Sequence, residues 1–205
     1  MLASALQQLP LVAILRGVRP DEVEAIADAL YAEGFRVIEV PLNSPQATES
    51  IGRLARRMPA DALIGAGTVL STEAVAEVEA AGGRLIVMPH ADTAVIRAAK
   101  QRGLACIPGA ATPTEAFAAV QAGADALKLF PAELVTPTVL KAMRAVLPRE
   151  LRLLPVGGIT PETMAVYRQA GAAGFGLGSA LYSPGMAADD VGRRARAFVQ
   201  AWGAL

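Results

Sequence analysis

Cysteine, histidine and aromatic residues are scarce in this sequence, and long hydrophobic runs are missing. The single cysteine allows no internal disulfide, which excludes a small secreted scaffold held together by disulfides. The single histidine excludes a His-rich metal site. No run approaches the roughly 18 apolar residues of a membrane-spanning helix, and the N-terminus lacks the basic start and apolar stretch of a signal peptide. The formal net charge is zero, so nothing indicates a general affinity for nucleic acid or anionic membranes.

The composition instead indicates one core-rich domain. The chain has 205 residues, of which 53% are hydrophobic, and a domain of this length buries roughly 70–75% of the surface that its unfolded chain exposes. Glycine and proline are spread along the chain, without a linker, a charge block or a low-complexity tract. We therefore expect a single domain over residues 1–205, in a soluble and cytoplasmic protein.

Short apolar runs recur about every 19–26 residues, the length of one strand, one helix and two loops. Runs that are nearly continuous rather than alternating are typical of a parallel sheet covered by helices. They are LVAIL (11–15), RVIEVP (36–41), ALIGAG (62–67), LIVMP (85–89), LACIPG (104–109), ALKLFP (126–131), LLPVGG (153–158) and GFGLGS (174–179).

Helical segments lie between these runs and have marked ends. Predicted starts combine a capping hydroxyl with a following proline, at Ser44-Pro45, Thr112-Pro113, Thr136-Pro137 and Thr160-Pro161. Predicted stops are the C-cap glycines Gly34, Gly82, Gly103, Gly123 and Gly171. Eight strand–helix units in succession favour an α/β fold, a closed (β/α)8 (TIM) barrel with a short N-terminal helix. An open doubly wound sheet is the alternative.

Lys128 is the first candidate for chemistry, because active sites of such barrels lie where strands end. It stands between Leu127 and Leu129 within a predicted strand, so its side chain points into the barrel interior, where desolvation depresses the pKa of the amine. A neutral amine attacks a ketone to form a Schiff base. The alternative is a structural lysine paired with a buried carboxylate.

Three further polar residues lie within or just after predicted strands. Glu39 interrupts the apolar run VIEVP, and a carboxylate there can shuttle protons or merely neutralise a nearby cation. Arg16 ends the first strand, where its guanidinium suits a carboxylate or phosphate. Thr68 follows the third strand and offers a hydroxyl donor, or is only a turn residue.

The last two strands end in glycine-rich loops, VGGIT (156–160) and GLGSAL (176–181). Adjacent glycines let backbone N–H groups approach an anion, a following helix N-terminus adds its dipole, and these two loops are the frequent phosphate site of such barrels. Ser179 adds a hydroxyl. Tight turns are the alternative interpretation. His90 and Cys106 are assigned to a loop and to the core.

The motifs LVAILRG, VIEVPLNSP, LIGAGTVL, ALKLFP, PVGGITPE and GLGSALY together resemble the KDPG/KDPGal aldolase family, in order and over nearly the whole chain. No His/Asp/Glu cluster indicates a zinc-dependent aldolase or a metal-dependent epimerase, and a lysine-based mechanism needs neither metal nor cofactor.

The resemblance implies a class I aldolase that cleaves a 2-keto-3-deoxy-6-phospho sugar acid to pyruvate and D-glyceraldehyde 3-phosphate. It assigns the imine to Lys128 and proton transfer through a water to Glu39. Binding of the substrate is assigned to Arg16 and Thr68 at the carboxylate end, to Val156, and to Gly157, Gly158, Gly178 and Ser179 at the phosphate end.

Two positions resemble the galactonate-type branch rather than the gluconate-type branch: Asn43 stands where the latter has arginine, and Val156 where it has threonine. The expected substrate is therefore 2-dehydro-3-deoxy-6-phospho-D-galactonate, and family members are commonly homotrimers. Alternatives are a gluconate-type or 4-hydroxy-2-oxoglutarate aldolase, a non-catalytic phosphosugar-binding barrel, and a phosphosugar isomerase.

Overall fold

The computed structural model describes all residues from Met1 to Leu205 and is an α/β fold of parallel strands. Nine short strands carry the site described below. They are β1 (Leu11–Ile14), β2 (Val37–Pro41), β3 (Leu63–Gly67), β4 (Leu85–Val87), β5 (Ala105–Ile107), β6 (Gly109–Ala110), β7 (Ala126–Leu129), β8 (Arg152–Pro155) and β9 (Phe175–Leu177).

Nine helices accompany the strands, and all but the first cover their outer side. They are α1 (Leu2–Gln8), α2 (Val23–Ala32), α3 (Ala47–Arg57), α4 (Thr72–Ala80), α5 (Thr93–Gln101), α6 (Pro113–Gln121), α7 (Pro137–Val146), α8 (Met164–Gln169) and α9 (Ala188–Gly203). The predicted short N-terminal helix is confirmed by α1. No helix combines the length and hydrophobicity needed to cross a membrane.

The strands form two parallel sheets rather than one continuous ladder. One sheet has the order β5-β4-β3-β2-β1-β9, and the other has the order β6-β7-β8. The first division falls at Pro108, which separates β5 from β6 and has no N–H to donate to a ladder. Its carbonyl still accepts a hydrogen bond from the Lys128 amide at 2.9 Å. At the second division, an isolated parallel bridge pairs Val156 with Gly176.

The buried side chains separate into two layers. The larger cluster, of 52 residues, includes Leu127 and Leu129 of β7 and packs between the strands and the helices. The smaller cluster, of 11 residues, lies on the inner side of the strands, where Leu2 and Leu6 of α1 join Val12. Because α1 packs against residues from the beginnings of the strands, it covers their N-terminal end and leaves the opposite end for a site.

The ends of the helices confirm part of the predicted pattern. The five predicted C-cap glycines all have positive φ angles, between 71° and 107°. Thr112 and Glu115 form the predicted capping box of α6, and α7 begins at Pro137. Two predicted starts are wrong, because α3 begins only at Ala47 and α8 only at Met164. The hydroxyl of Ser44 is used elsewhere and accepts a hydrogen bond from the Gly17 amide.

Candidate active site

Lys128 and Glu39 are the two charged side chains that are buried, and both lie on the inner side of the strands. Lys128 is 4% exposed and Glu39 is 1% exposed. In β7 the neighbours of Lys128 belong to the outer layer, so the two-residue alternation of a strand directs Lys128 inward. The same alternation in β2 sends Ile38 and Val40 outward and Glu39 inward. The predicted inward orientation of Lys128 is confirmed, and Glu39 lies on the same inner side.

Burial shifts the pKa values of these two groups toward their neutral forms. Desolvation lowers the pKa of the Lys128 amine, against the opposing effect of the negative charge of Glu39, and the positive charge of Arg16 lowers it further. Desolvation raises the pKa of the Glu39 carboxyl, while Lys128 and Arg16 act in the opposite direction. The site therefore shifts the amine toward its uncharged, nucleophilic form and the neighbouring carboxyl toward its protonated form.

The two groups are close in the fold without forming an ion pair. The nine salt bridges of the structure include neither of them. Oε2 of Glu39 is buried without a hydrogen-bond partner. Glu39 and Lys128 both line a small internal cavity of about 10 Å³, at the lower limit of the volume that holds one water molecule. Lys128 is therefore not a structural lysine neutralised by a direct salt bridge.

A larger cavity, of about 780 Å³, opens beside Lys128 at the C-terminal ends of the strands. Its lining brings together most of the predicted site residues: Arg16, Lys128, Val156, Gly157, Gly158, Gly178 and Ser179. Glu39 lines the small cavity instead, and the two cavities share Lys128, Val156, Ile14 and Gly176 as wall residues. Thr68 has a φ of 55° and lines neither cavity, so its predicted role stays a prediction.

Two hydrogen bonds connect the loop after β1 to the loop after β2, and they join two consecutive residues of one loop to two consecutive residues of the other. Nη1 of Arg16 donates to Oδ1 of Asn43 at 2.7 Å. The Gly17 amide donates to the Ser44 hydroxyl at 2.9 Å. Arg16 thus lies on the cavity wall, and its hydrogen-bond partner is the uncharged side chain of Asn43 in the β2–α3 loop.

Backbone amides without a hydrogen bond occur among the glycine-rich residues that line the large cavity. Gly157 and Gly158 have φ angles of 116° and 60°, which residues other than glycine rarely adopt. The amides of Gly157, Gly158 and Ser179 donate no backbone hydrogen bond. The predicted helix N-termini do not follow these loops directly, because α8 begins at Met164 and α9 at Ala188. Any anion bound here therefore relies on amide and hydroxyl donors rather than on an adjacent helix end.

The structure adds two cavity residues that the sequence patterns did not single out. The Lys128 amine lies 4.9 Å from the centre of the Phe130 ring. The carboxylate of Glu133 lies against the glycine pair, so that a Cβ built on Gly157 would be 2.5 Å from its Oε2. Both residues lie in the segment between β7 and α7, and the rule that active sites gather where strands end was the available signal.

The remaining chemically distinctive side chains lie away from the cavities. His90 is exposed after β4 and lines neither cavity. Cys106 is buried in β5, where desolvation raises the pKa of its thiol to about 12, in agreement with its assignment to the core. The structure contains no cluster of three or more His, Cys, Asp or Glu side chains arranged to hold a metal ion.

Comparison with known proteins places this geometry in a family. The family model described as KDPG and KHG aldolase matches residues 2–196. The chain is 47% identical to a protein of Escherichia coli (strain K12) named 2-dehydro-3-deoxy-6-phosphogalactonate aldolase, with 95% of each chain covered. It is also similar to a solved structure described as native KDPGal, with a TM-score of 0.94, 47% identity and 96% of each chain covered.

A second solved structure bears on the chemistry. It is a KDPG aldolase from Legionella pneumophila with pyruvate captured as a covalent carbinolamine intermediate. Its TM-score to this chain is 0.81, with 26% identity, and the match covers 100% of this chain and 97% of the other. In that relative, a carbinolamine joins pyruvate to the protein.

Proposed function

The chain belongs to the KDPG and KHG aldolase family, and from that premise we propose that it cleaves 2-dehydro-3-deoxy-6-phospho-D-galactonate to pyruvate and D-glyceraldehyde 3-phosphate. The reaction makes it a carbon–carbon lyase of class I, which works through a lysine imine. The observation that carries the proposal is one buried lysine, with its pKa lowered, on the wall shared by both cavities. Relatives named for the same substrate support the choice.

The proposed reaction begins with the Lys128 amine. Its nitrogen attacks the C2 ketone to give a carbinolamine, which loses water to leave a protonated imine. The C3–C4 bond then breaks, and its electron pair moves toward the imine nitrogen while the C4 hydroxyl gives up its proton and becomes the aldehyde. Protonation of the enamine at C3 and hydrolysis of the imine release pyruvate and return the free amine. No step requires a metal or a cofactor.

Glu39 is the proposed carrier of these protons. Its carboxyl accepts a proton at one step and donates it at another, which general acid–base catalysis requires. Glu39 and Lys128 line the same small cavity, and this proximity supports proton transfer between them, which the family resemblance routes through a water molecule. The raised pKa of Glu39 supports the same role, because it brings the carboxyl closer to a state in which both forms are populated.

The two ends of the substrate have separate proposed sites. Arg16, with Thr68, binds the carboxylate next to the C2 ketone, and Arg16 lies on the same cavity wall as Lys128. The amides of Gly157, Gly158 and Gly178 and the hydroxyl of Ser179 bind the phosphate at the other end. The free amides of the glycine pair support this assignment, as does the 780 Å³ cavity that Arg16 and the glycine-rich residues line together.

The choice of the galactonate-type substrate rests on Val156 and Asn43. Val156 is 7% exposed and lines both cavities, next to Lys128, so it contacts the carbons near the imine. We expect kcat/KM for the galactonate compound to exceed that for its C4 epimer, the gluconate compound. Near-equal values would overturn the substrate assignment and leave the imine mechanism in place. A 4-hydroxy-2-oxoglutarate aldolase would instead favour the shorter, unphosphorylated compound.

The mechanism is tested by trapping the imine. Incubation with pyruvate and borohydride, followed by peptide mass mapping, is expected to place one reduced adduct on Lys128. Lys128→Ala is expected to remove both the adduct and turnover while keeping the circular dichroism spectrum of the native protein. Lys100→Ala, at a lysine that is salt-bridged to Asp125 on the surface, is the matched control and should keep both. A protein without any adduct would be a phosphosugar-binding barrel or an isomerase rather than an aldolase.

Three broader expectations accompany the function. We propose that the two sheets form a single closed (β/α)8 barrel domain over residues 1–205, supported by the Val156–Gly176 bridge and by the hydrogen bond across Pro108. The homotrimer and the cytoplasmic location stay predictions from the family resemblance. Light scattering checks the first of these, since a trimer has three times the 21.1 kDa mass of one chain.

A further inference from the structure

Asn43 is the only protein partner of the Arg16 guanidinium. The hydrogen bond from Arg16 Nη1 to Asn43 Oδ1 is 2.7 Å long, and Arg16 takes part in no salt bridge. An exposed arginine side chain has many rotamers, and holding it in one of them costs conformational entropy. The Asn43 amide therefore restricts Arg16 to the cavity wall before any substrate arrives.

The uncharged nature of this partner distinguishes Arg16 from many other arginines in the fold. Arg36 pairs with Asp61, Arg57 with Asp28 and Arg196 with Glu33, so a carboxylate neutralises each of those guanidinium groups. Asn43 accepts a hydrogen bond without neutralising the charge. Because a guanidinium has five N–H donors, Arg16 keeps most of its donors and its full charge for an incoming anion.

The loop that carries Asn43 is itself held in place. The adjacent residue Ser44 is 7% exposed, and its hydroxyl accepts the Gly17 amide hydrogen at 2.9 Å. The Ser44 amide in turn donates to the Pro41 carbonyl at the end of β2. Asn43 is thus fixed relative to both β1 and β2, and it can transmit that position to Arg16.

We propose that Asn43 is a positioning residue that holds the Arg16 guanidinium, charged and correctly oriented, for the carboxylate of a 2-oxo acid. The inference rests on the proposed function, since it assumes that Arg16 binds that carboxylate. Asn43 does not line the large cavity, so it is a positioning residue rather than a group that touches reacting atoms. Its contribution is therefore expected in the substrate concentration that gives half-maximal rate rather than in the maximal rate.

The experiment measures deuterium exchange at the pyruvate methyl group by NMR as a function of pyruvate concentration. Asn43→Ala should raise the half-saturating pyruvate concentration about fivefold, the loss expected for one hydrogen bond, and leave the maximal exchange rate within about twofold. Asn43→Asp should raise it at least as much, because the aspartate keeps the acceptor but pairs with the charge of Arg16. Thr48→Ala, at an exposed residue in the first turn of α3, which follows this loop, is the matched control.

A double-mutant cycle separates positioning from a general effect on the loop. In an Arg16→Ala background, Asn43→Ala should have no further effect on half-saturation. An equal effect in both backgrounds, an unchanged half-saturation in Asn43→Ala, or wild-type behaviour of Asn43→Asp would each overturn the inference. Thermal unfolding of every variant checks that the substitution has not unfolded the protein. If Asn43→Ala does not fold, Asn43→Asp provides the test of half-saturation instead.

The experiments distinguish a failure of the proposed function from a failure of this inference alone. If the wild-type protein shows neither methyl exchange nor a borohydride adduct, the aldolase assignment is wrong and the role of Asn43 is wrong with it. If the wild-type protein shows both, and Asn43→Ala is indistinguishable from it, only the positioning role is wrong.

Discussion

Gly67 leaves the space that the Glu39 carboxylate occupies. A Cβ atom built on Gly67 would lie 1.3 Å from Oε2 of Glu39 and 2.4 Å from its carboxyl carbon. Gly67 is the last residue of β3, whose partner strand β2 carries Glu39. Because Glu39 is 1% exposed, its carboxylate has little room to move aside. The absence of a side chain at position 67 therefore decides where the proposed proton carrier sits.

We expect Gly67→Ala to reproduce much of the effect of removing Glu39. The added methyl group displaces the carboxylate, so methyl proton exchange should slow by about 10²-fold or more, the usual contribution of general acid–base catalysis. The exchange rate with pyruvate is the measurement. Gly65→Ala is the contrasting variant, because its methyl group would meet the Leu85 carbonyl oxygen at 2.0 Å and should lower the free energy of unfolding. A Gly67→Ala protein with wild-type exchange would contradict the expected dependence of exchange on the position of the Glu39 carboxylate.

Glu39→Gln should separate catalysis from stability. The amide cannot transfer protons, so exchange slows far more than substrate binding weakens. Because burial raises the pKa of Glu39, the folded protein keeps this proton at pH values above 4.5, where the unfolded chain has lost it. Wild-type stability therefore falls as pH rises from 4.5 through the raised pKa.

The glutamine variant lacks that titration and should not show the fall. Urea unfolding of both proteins over a series of pH values measures the difference in their free energies of unfolding, which should grow in favour of the variant across this window. A constant difference would mean that the pKa of Glu39 is the same in the folded and unfolded states.

Ser179→Ala tests the phosphate end of the cavity. Loss of one hydroxyl donor to a charged oxygen should raise KM for the phosphorylated substrate about tenfold, while kcat changes little. Steady-state kinetics with the phosphorylated compound and an unphosphorylated analogue provide the measurement. Ser183→Ala is a nearby comparison, since the Ser183 hydroxyl has the Ser179 carbonyl as its acceptor within the protein. Equal effects of Ser179→Ala on both substrates would contradict the phosphate assignment.

Glu133→Gln should lower KM for the phosphorylated substrate, whereas Ser179→Ala should raise it. The Glu133 carboxylate lies over Gly157 and Gly158, so it repels a phosphate bound to the amides of that pair. Since the side chain is exposed, solvent weakens this repulsion, and we expect KM for the phosphorylated substrate to fall by about two- to fivefold. An increase in KM would indicate instead that Glu133 accepts a hydrogen bond from the substrate. The salt dependence of KM should become smaller in the variant only if repulsion is the cause.

The inward orientation of Lys128 and Glu39 was predictable from the sequence because it depends on local alternation. Each charged residue stands within an apolar strand, and the apolar neighbours must pack against helices on the outer side. The C-cap glycines were predictable for a similar local reason, since each must adopt a positive φ before the next strand. By contrast, the predicted roles of Ser44 and Thr160 in capping helices were wrong, because loop length and tertiary hydrogen bonds decided where α3 and α8 begin.

The amino-acid sequence by itself determined the strand–helix order, the buried lysine and the buried carboxylate, since these follow from spacing and hydrophobicity along the chain. Only the tertiary structure decided that Asn43 holds Arg16, that Gly67 makes room for Glu39 and that Glu133 lies over Gly157. Each of these pairs joins residues more than 20 positions apart, on separate strands or loops. Their contacts arise from the register of parallel strands, which the local pattern of hydrophobic residues does not encode.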